Sequence, residues 1–100
     1  MENLVKEFNE KYMKPLNSNL RMLDIQSEIG ELSKELIKCQ DYGSKVFSVS
    51  EDLKMELGDV LYSILTFAIE NNISCKEVLE NALTKYEKRF AKKGHIGSNE

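Results

Sequence analysis

Apolar residues recur at helical spacing in four separate stretches of this chain, and no stretch alternates long enough to make a strand. In the first, Leu4, Val5, Phe8 and Tyr12 share a face, which predicts a helix over about 2–12 that Pro15 ends. The connection LNSN offers Ser18 or Asn19 as N-cap of a second helix over about 20–40, with Met22, Ile25, Ile29, Leu32, Leu36 and Cys39 on one side. After the loop DYGSKVFSVS, Ser48 and Glu51 read as a capping box that opens a third helix over about 50–70. Its apolar residues, from Leu57 through Val60, Leu61, Ile64, Leu65 and Phe67 to Ile69, cover most of the circumference, so it is expected to pack on several sides. Ser74 with Glu77 opens a fourth helix over about 75–92, whose expected buried face is Val78, Leu79, Ala82, Leu83, Tyr86 and Phe90. The glycine-punctuated tail, 94–100, is expected to be flexible. The fold class is therefore all-α: a four-helix chain forming one domain over 1–100. A third helix apolar on most of its circumference needs more neighbours than three short helices readily provide, so the bundle is expected to be completed by oligomerisation, at least to a homodimer.

Charge and cysteines add exclusions. The formal net charge of −3 gives no bulk electrostatic reason to expect a nucleic-acid partner, and none is expected. Cys39 and Cys75 are isolated, without metal-ligand spacing, as for free thiols in a reducing cytosol. The opening MENLVKEF lacks a basic leader and an apolar core, and the apolar stretch near Val60–Ile69 is interrupted by Tyr62, Ser63 and Thr66. No secretion signal and no membrane span are expected; the expected location is cytoplasmic.

The polar stripes carry the candidate chemistry. On the second helix Asp24, Glu28, Glu31 and Glu35 lie at the edge of the apolar face. Such a stripe is ordinarily solvated decoration, but its place beside the apolar face opens a functional alternative. The third helix leaves only a narrow polar stripe of Asp52, Glu56, Asp59, Ser63, Thr66 and Glu70. Glu56 and Asp59 repeat the three-residue spacing of Glu28 and Glu31. Carboxylates confined without a partner are costly and tend to protonate. A basic residue, open water or a metal ion would relieve them. Two facing pairs would supply four hard oxygen ligands, which suits Mg²⁺; pairing with lysines of the fourth helix is the rival reading. A di-iron bundle requires Glu-x-x-His pairs, whereas the single histidine, His95, lies in the tail. Zinc chemistry is disfavoured on the same ground. Asn81, Lys85, Lys88 and Lys92 align on the fourth helix with Arg89 nearby, either as a solvated basic face or as cations for phosphate. Gly30, between the first two acids, could permit a close helix approach.

The ordered motifs EIGE (28–31) and ELGDVLY (56–62), closed by LTKYEKRF (83–90), resemble the MazG-type all-α nucleoside triphosphate pyrophosphohydrolases over about Leu20 to Arg89. That resemblance implies Mg²⁺ held by Glu28, Glu31, Glu56 and Asp59. It implies cleavage of a nucleoside triphosphate between its α- and β-phosphates, giving monophosphate and pyrophosphate, in the service of nucleotide-pool house-cleaning. Glu28 or Glu31 would act catalytically on the attacking water. Lys85 and Arg89 match the family's phosphate-binding residues, with Asn81, Lys88 and Lys92 matching more loosely. Homodimers or homotetramers with sites shared between subunits are implied as well. The chain has no Trp, so base stacking must use Phe or Tyr or not occur. The alternative is a non-catalytic helical module that binds nucleotide or a partner.

Overall fold

The computed structural model describes residues 1–94, so the expected flexible tail, Gly94 apart, and His95 lie outside the described residues. Four helices follow in order: α1, Glu2–Tyr12; α2, Ser18–Cys39; α3, Glu51–Glu70; and α4, Cys75–Lys93. No strand occurs among the described residues.

The starts of α2 and α3 differ from the caps expected from sequence. Asn17, not Ser18 or Asn19, caps α2 by accepting the Leu20 N–H at 2.9 Å. Ser50, not Ser48, caps α3 by accepting the Leu53 N–H at 3.0 Å. The chain is extended at Ser50, which lets its hydroxyl reach the N3 amide. Ser74 caps α4 as expected, through the Glu77 N–H at 3.2 Å. Glu2 of α1 adds a carboxylate to that same end, accepting the Lys76 N–H at 3.1 Å. Asn72, with φ 56°, turns α3 into α4, while the Ile73 N–H returns to the Ala68 carbonyl at 2.8 Å.

The packed pairs are α2 with α3 and α1 with α3. Side-chain links run from Arg21 to Glu70, from Asp24 to Ser63 and from Cys39 to Ser50, so α2 and α3 are antiparallel. Docking of α1 uses Phe8 edge-on to Tyr62 at 5.9 Å. Beside it, Asn9 accepts from the Tyr62 hydroxyl at 2.6 Å and donates to Thr66 at 3.2 Å.

Much of the expected core is open. Among the described residues the buried apolar side chains are Ile25, Val60, Leu65 and Ala68. On α2, Met22, Ile29 and Leu36 remain exposed, as do Leu57, Leu61 and Ile64 on α3. The expected burial of α4 is corrected too: Val78, Leu79, Leu83 and Phe90 are each at least half exposed. The reason is that, among the described residues, α4 packs far less closely on the other helices than α1 and α2 pack on α3. The radius of gyration, 16.8 Å, exceeds the roughly 13 Å of a compact chain of this length. Gly30 does not serve a close helix approach within the chain either, since a Cβ there would meet nothing within 4 Å, and the same holds for Gly58.

Candidate metal centre

Four residues inward from the Asp24–Ser63 hydrogen bond, along both helices, lie Glu28 on α2 and Asp59 on α3. Glu56 follows one turn further along α3. Glu28, Glu56 and Asp59 each offer a carboxylate oxygen within 4.8 Å of the others; the two glutamates are half-buried and Asp59 is exposed. Adjacent oxygens around a Mg²⁺ ion stand roughly 3 Å apart and opposite ones roughly 4 Å. Three hard donors converging this closely from two helices fit such an ion after small side-chain rotations. Glu31, expected as the fourth ligand, is exposed and not in the converging set.

The electrostatics agree with an uncompensated acidic centre. Burial, reinforced by the charges of Asp59, Asp24, Glu56 and Glu31, pushes the Glu28 carboxyl above its ordinary 4.5. Burial, followed by the charges of Asp59, Glu31, Glu35 and Asp52, raises Glu56 likewise. Glu31 therefore contributes negative potential to the centre even without joining it. Among the described residues the ion pairs are Arg21–Asp24, Arg21–Glu70, Lys38–Glu35 and Lys54–Glu51. The rival reading, in which lysines of the fourth helix neutralise Glu56 and Asp59, has no counterpart in that set.

The outer halves of both acidic stripes have a different occupation. Arg21 is only 3% exposed and forks onto Glu70 through Nε at 3.1 Å and an η nitrogen at 3.2 Å. Its other η nitrogen reaches Asp24 at 3.2 Å, and the Ser63 hydroxyl donates to the same Asp24 oxygen at 2.8 Å. Burial opposes the Glu70 charge, but the Arg21 bonds, the Leu16 N–H and the Arg21 charge outweigh it and hold the carboxyl below its ordinary value. Asp24, Ser63, Thr66 and Glu70 are thus satisfied by protein partners. Sequence reasoning missed Arg21, whose one signal was a cation four residues before buried Ile25 on the apolar face.

Asn81, Lys85, Lys88 and Arg89 share one open face of α4 with Thr84 and Lys92, and no other helix among the described residues lines it. Thr84 was not expected from the charge pattern. Lys85 Nζ stands 5.2 Å from the Tyr86 ring centre.

The fold and the site define an all-α domain with a carboxylate centre between two antiparallel helices. Residues 17–93 match the model of the MazG nucleotide pyrophosphohydrolase domain, and the chain belongs to that family. It is also 29% identical over 92 residues to the "Uncharacterized protein YpjD" of Bacillus subtilis (strain 168), covering 89% of this chain and 78% of that protein. No solved structure matches it significantly. Among the described residues no helix is long and apolar enough to cross a membrane.

A test of the centre follows from the raised carboxyls. A glutamate whose folded pKa lies above its unfolded 4.5 carries no charge penalty below 4.5. The penalty grows as pH rises through the raised value and is complete above it. Metal-free protein is therefore expected to lose part of its thermal stability through these groups as pH rises from 4.5 through their raised values. Mg²⁺ at ten times its Kd would restore about 1.4 kcal/mol at neutral pH and distinctly less at pH 4.5, where protons compete. Melting curves at both pH values with and without Mg²⁺ check this; an equal Mg²⁺ increment at both would contradict it.

Proposed function

We propose that the chain is a Mg²⁺-dependent nucleoside triphosphate pyrophosphohydrolase that releases nucleoside monophosphate and pyrophosphate, acting in nucleotide-pool house-cleaning in the cytoplasm. The observation that carries this reading is the convergence of Glu28, Glu56 and Asp59 inside the span that matches the family. In it Glu28, Glu56 and Asp59, joined by Glu31, hold the ion. Bound there, Mg²⁺ supplies a Lewis acid for phosphate oxygens and for water. Glu31 or Glu28 accepts the proton of the attacking water, a role the exposure of Glu31 and the raised proton affinity of Glu28 both support. Lys85 and Arg89 neutralise the departing pyrophosphate, with Asn81 and Lys88 beside them on the same face of α4.

In this reading the active form is a homodimer or homotetramer. The exposed apolar residues of α2, α3 and α4 support it, because a second copy would bury faces that the chain leaves in water. A neighbouring copy's α4 also supplies the cations that the acidic centre lacks among its own ion pairs. Leu83→Glu is expected to convert the assembly to monomers by light scattering at micromolar concentration and to remove most activity. A wild-type monomer, or an active Leu83→Glu monomer, would contradict the shared site.

A panel of nucleoside triphosphates, with common and modified bases, incubated with the protein and Mg²⁺ and assayed for pyrophosphate, tests the function. Turnover of at least one member is expected. Saturable binding without turnover would identify a nucleotide-binding module instead.

A further inference from the structure

We propose that the Arg21–Asp24–Ser63–Glu70 network is the positioning device of the carboxylate centre: it sets the register of α2 on α3 at which Glu28 meets Asp59 and Glu56. The inference rests on the proposed role of those carboxylates as metal ligands. The network and the centre share the same helix pair and are one turn apart. Asp24 precedes Glu28 by four residues on α2, and Ser63 follows Asp59 by four on α3. Since the helices are antiparallel, a one-turn slip that separated Glu28 from Asp59 would also break the Asp24–Ser63 bond.

The network is specific where the surrounding apolar packing is not. Ile25, Val60 and Leu65 are buried without directional bonds of their own, whereas a buried guanidinium cannot leave its acceptors without losing charge-assisted bonds. Its Nε and one η nitrogen form a planar fork on Glu70, a geometry with a single fit. The second η nitrogen and the Ser63 hydroxyl, itself 3% exposed, meet on one oxygen of Asp24. Glu70 is tied in addition to the Leu16 N–H at 3.1 Å, which fixes the entry of α2 against the end of α3. No buried side-chain nitrogen or oxygen among the described residues lacks a hydrogen-bond partner, so the network is complete as built. It thus defines the helix–helix register where the buried residues of α2 and α3 gather, one turn from the more open carboxylate centre.

The test uses two variants that leave the formal charge around the centre unchanged, so that any change in metal affinity reports geometry. Arg21→Lys keeps the cation and loses the fork; Ser63→Ala removes one neutral donor. Mn²⁺ alone, titrated into the full-length protein and followed by the loss of its free EPR signal, is the probe. Arg21→Lys is expected to weaken Mn²⁺ binding about 10-fold and Ser63→Ala about 3-fold, within the range found for groups that orient metal ligands. Phe8→Ala, which loosens α1 instead, is expected to lower the melting temperature with Mn²⁺ affinity unaltered. Folded Arg21→Lys and Ser63→Ala proteins that bind Mn²⁺ as tightly as wild type would overturn the proposal, as would equal weakening by Phe8→Ala. Should Arg21→Lys fail to fold, Ser63→Ala decides alone. Failure of the underlying reading looks different: wild type itself would bind no Mn²⁺, or would bind it undiminished after Glu56→Gln.

Discussion

Glu56→Gln is expected to lower pyrophosphate release at saturating substrate and Mg²⁺ by at least about 100-fold, because removing a direct ligand should cost no less than removing a group that orients one. The same variant should not be less stable than wild type in metal-free buffer near neutral pH. Glu56 is half-buried, and its carboxyl is raised by burial and by the charges of Asp59, Glu31, Glu35 and Asp52, so its ionised form is unwelcome in the fold. A neutral amide of the same shape removes that repulsion. A lost activity with an unchanged or raised melting temperature distinguishes a functional carboxylate from a structural one. An inactive variant that also melts earlier would assign Glu56 a packing role, and an active one would remove it from the site.

Glu70→Ala is expected instead to lower the stability of the fold strongly. The Arg21 side chain is 4% exposed and the Glu70 side chain 14%, and the guanidinium cannot relieve its position by losing a proton. Removing Glu70 leaves Arg21 with Asp24 as its one charged partner and hands the exposed Leu16 N–H to water. Breaking such a buried pair costs about 3–5 kcal/mol. In a domain of this size that lowers the melting temperature by more than about 10 °C. The stabilisation also has a pH signature. Because the folded Glu70 carboxyl lies below its ordinary 4.5, its contribution is present above 4.5 and fades as pH falls through the lowered value. Wild type should therefore show an acid limb that Glu70→Ala has largely lost. Thermal melts across the acid range measure both effects, and a shift of under about 2 °C would contradict the role given to the fork.

The two predictions draw on opposite ends of the same polar stripes, which sequence alone could not separate. Helical periodicity identified α1 to α4, and Pro15 marked the break after the first. The three-residue spacing of Glu28 and Glu31, repeated by Glu56 and Asp59 on a mostly apolar α3, marked four candidate carboxylates, of which Glu28, Glu56 and Asp59 converge. It could not show that Asp24 and Glu70 belong to Arg21, because that depends on the register between two helices, which no single helix encodes. Nor could it show that Glu31 stands outside the converging set. The caps at Asn17 and Ser50 were misread because neighbouring serines and asparagines satisfy the same pattern, and only the backbone decides which hydroxyl or amide reaches the N3 amide. The apolar face of α4 was legible as a face, yet hydrophobic spacing does not say whether the surface that covers it belongs to the same chain. Val78, Leu83 and Phe90 remain exposed among the described residues.

The most direct measurement of the central claim is a ³¹P NMR time course of a nucleoside triphosphate turned over by the panel, mixed with the protein and Mg²⁺. The account predicts that the triphosphate signals give way to nucleoside monophosphate and pyrophosphate, and that neither product forms without a divalent cation or with Glu56→Gln. Accumulation of nucleoside diphosphate and inorganic phosphate, or product formation that survives removal of the metal, would contradict it.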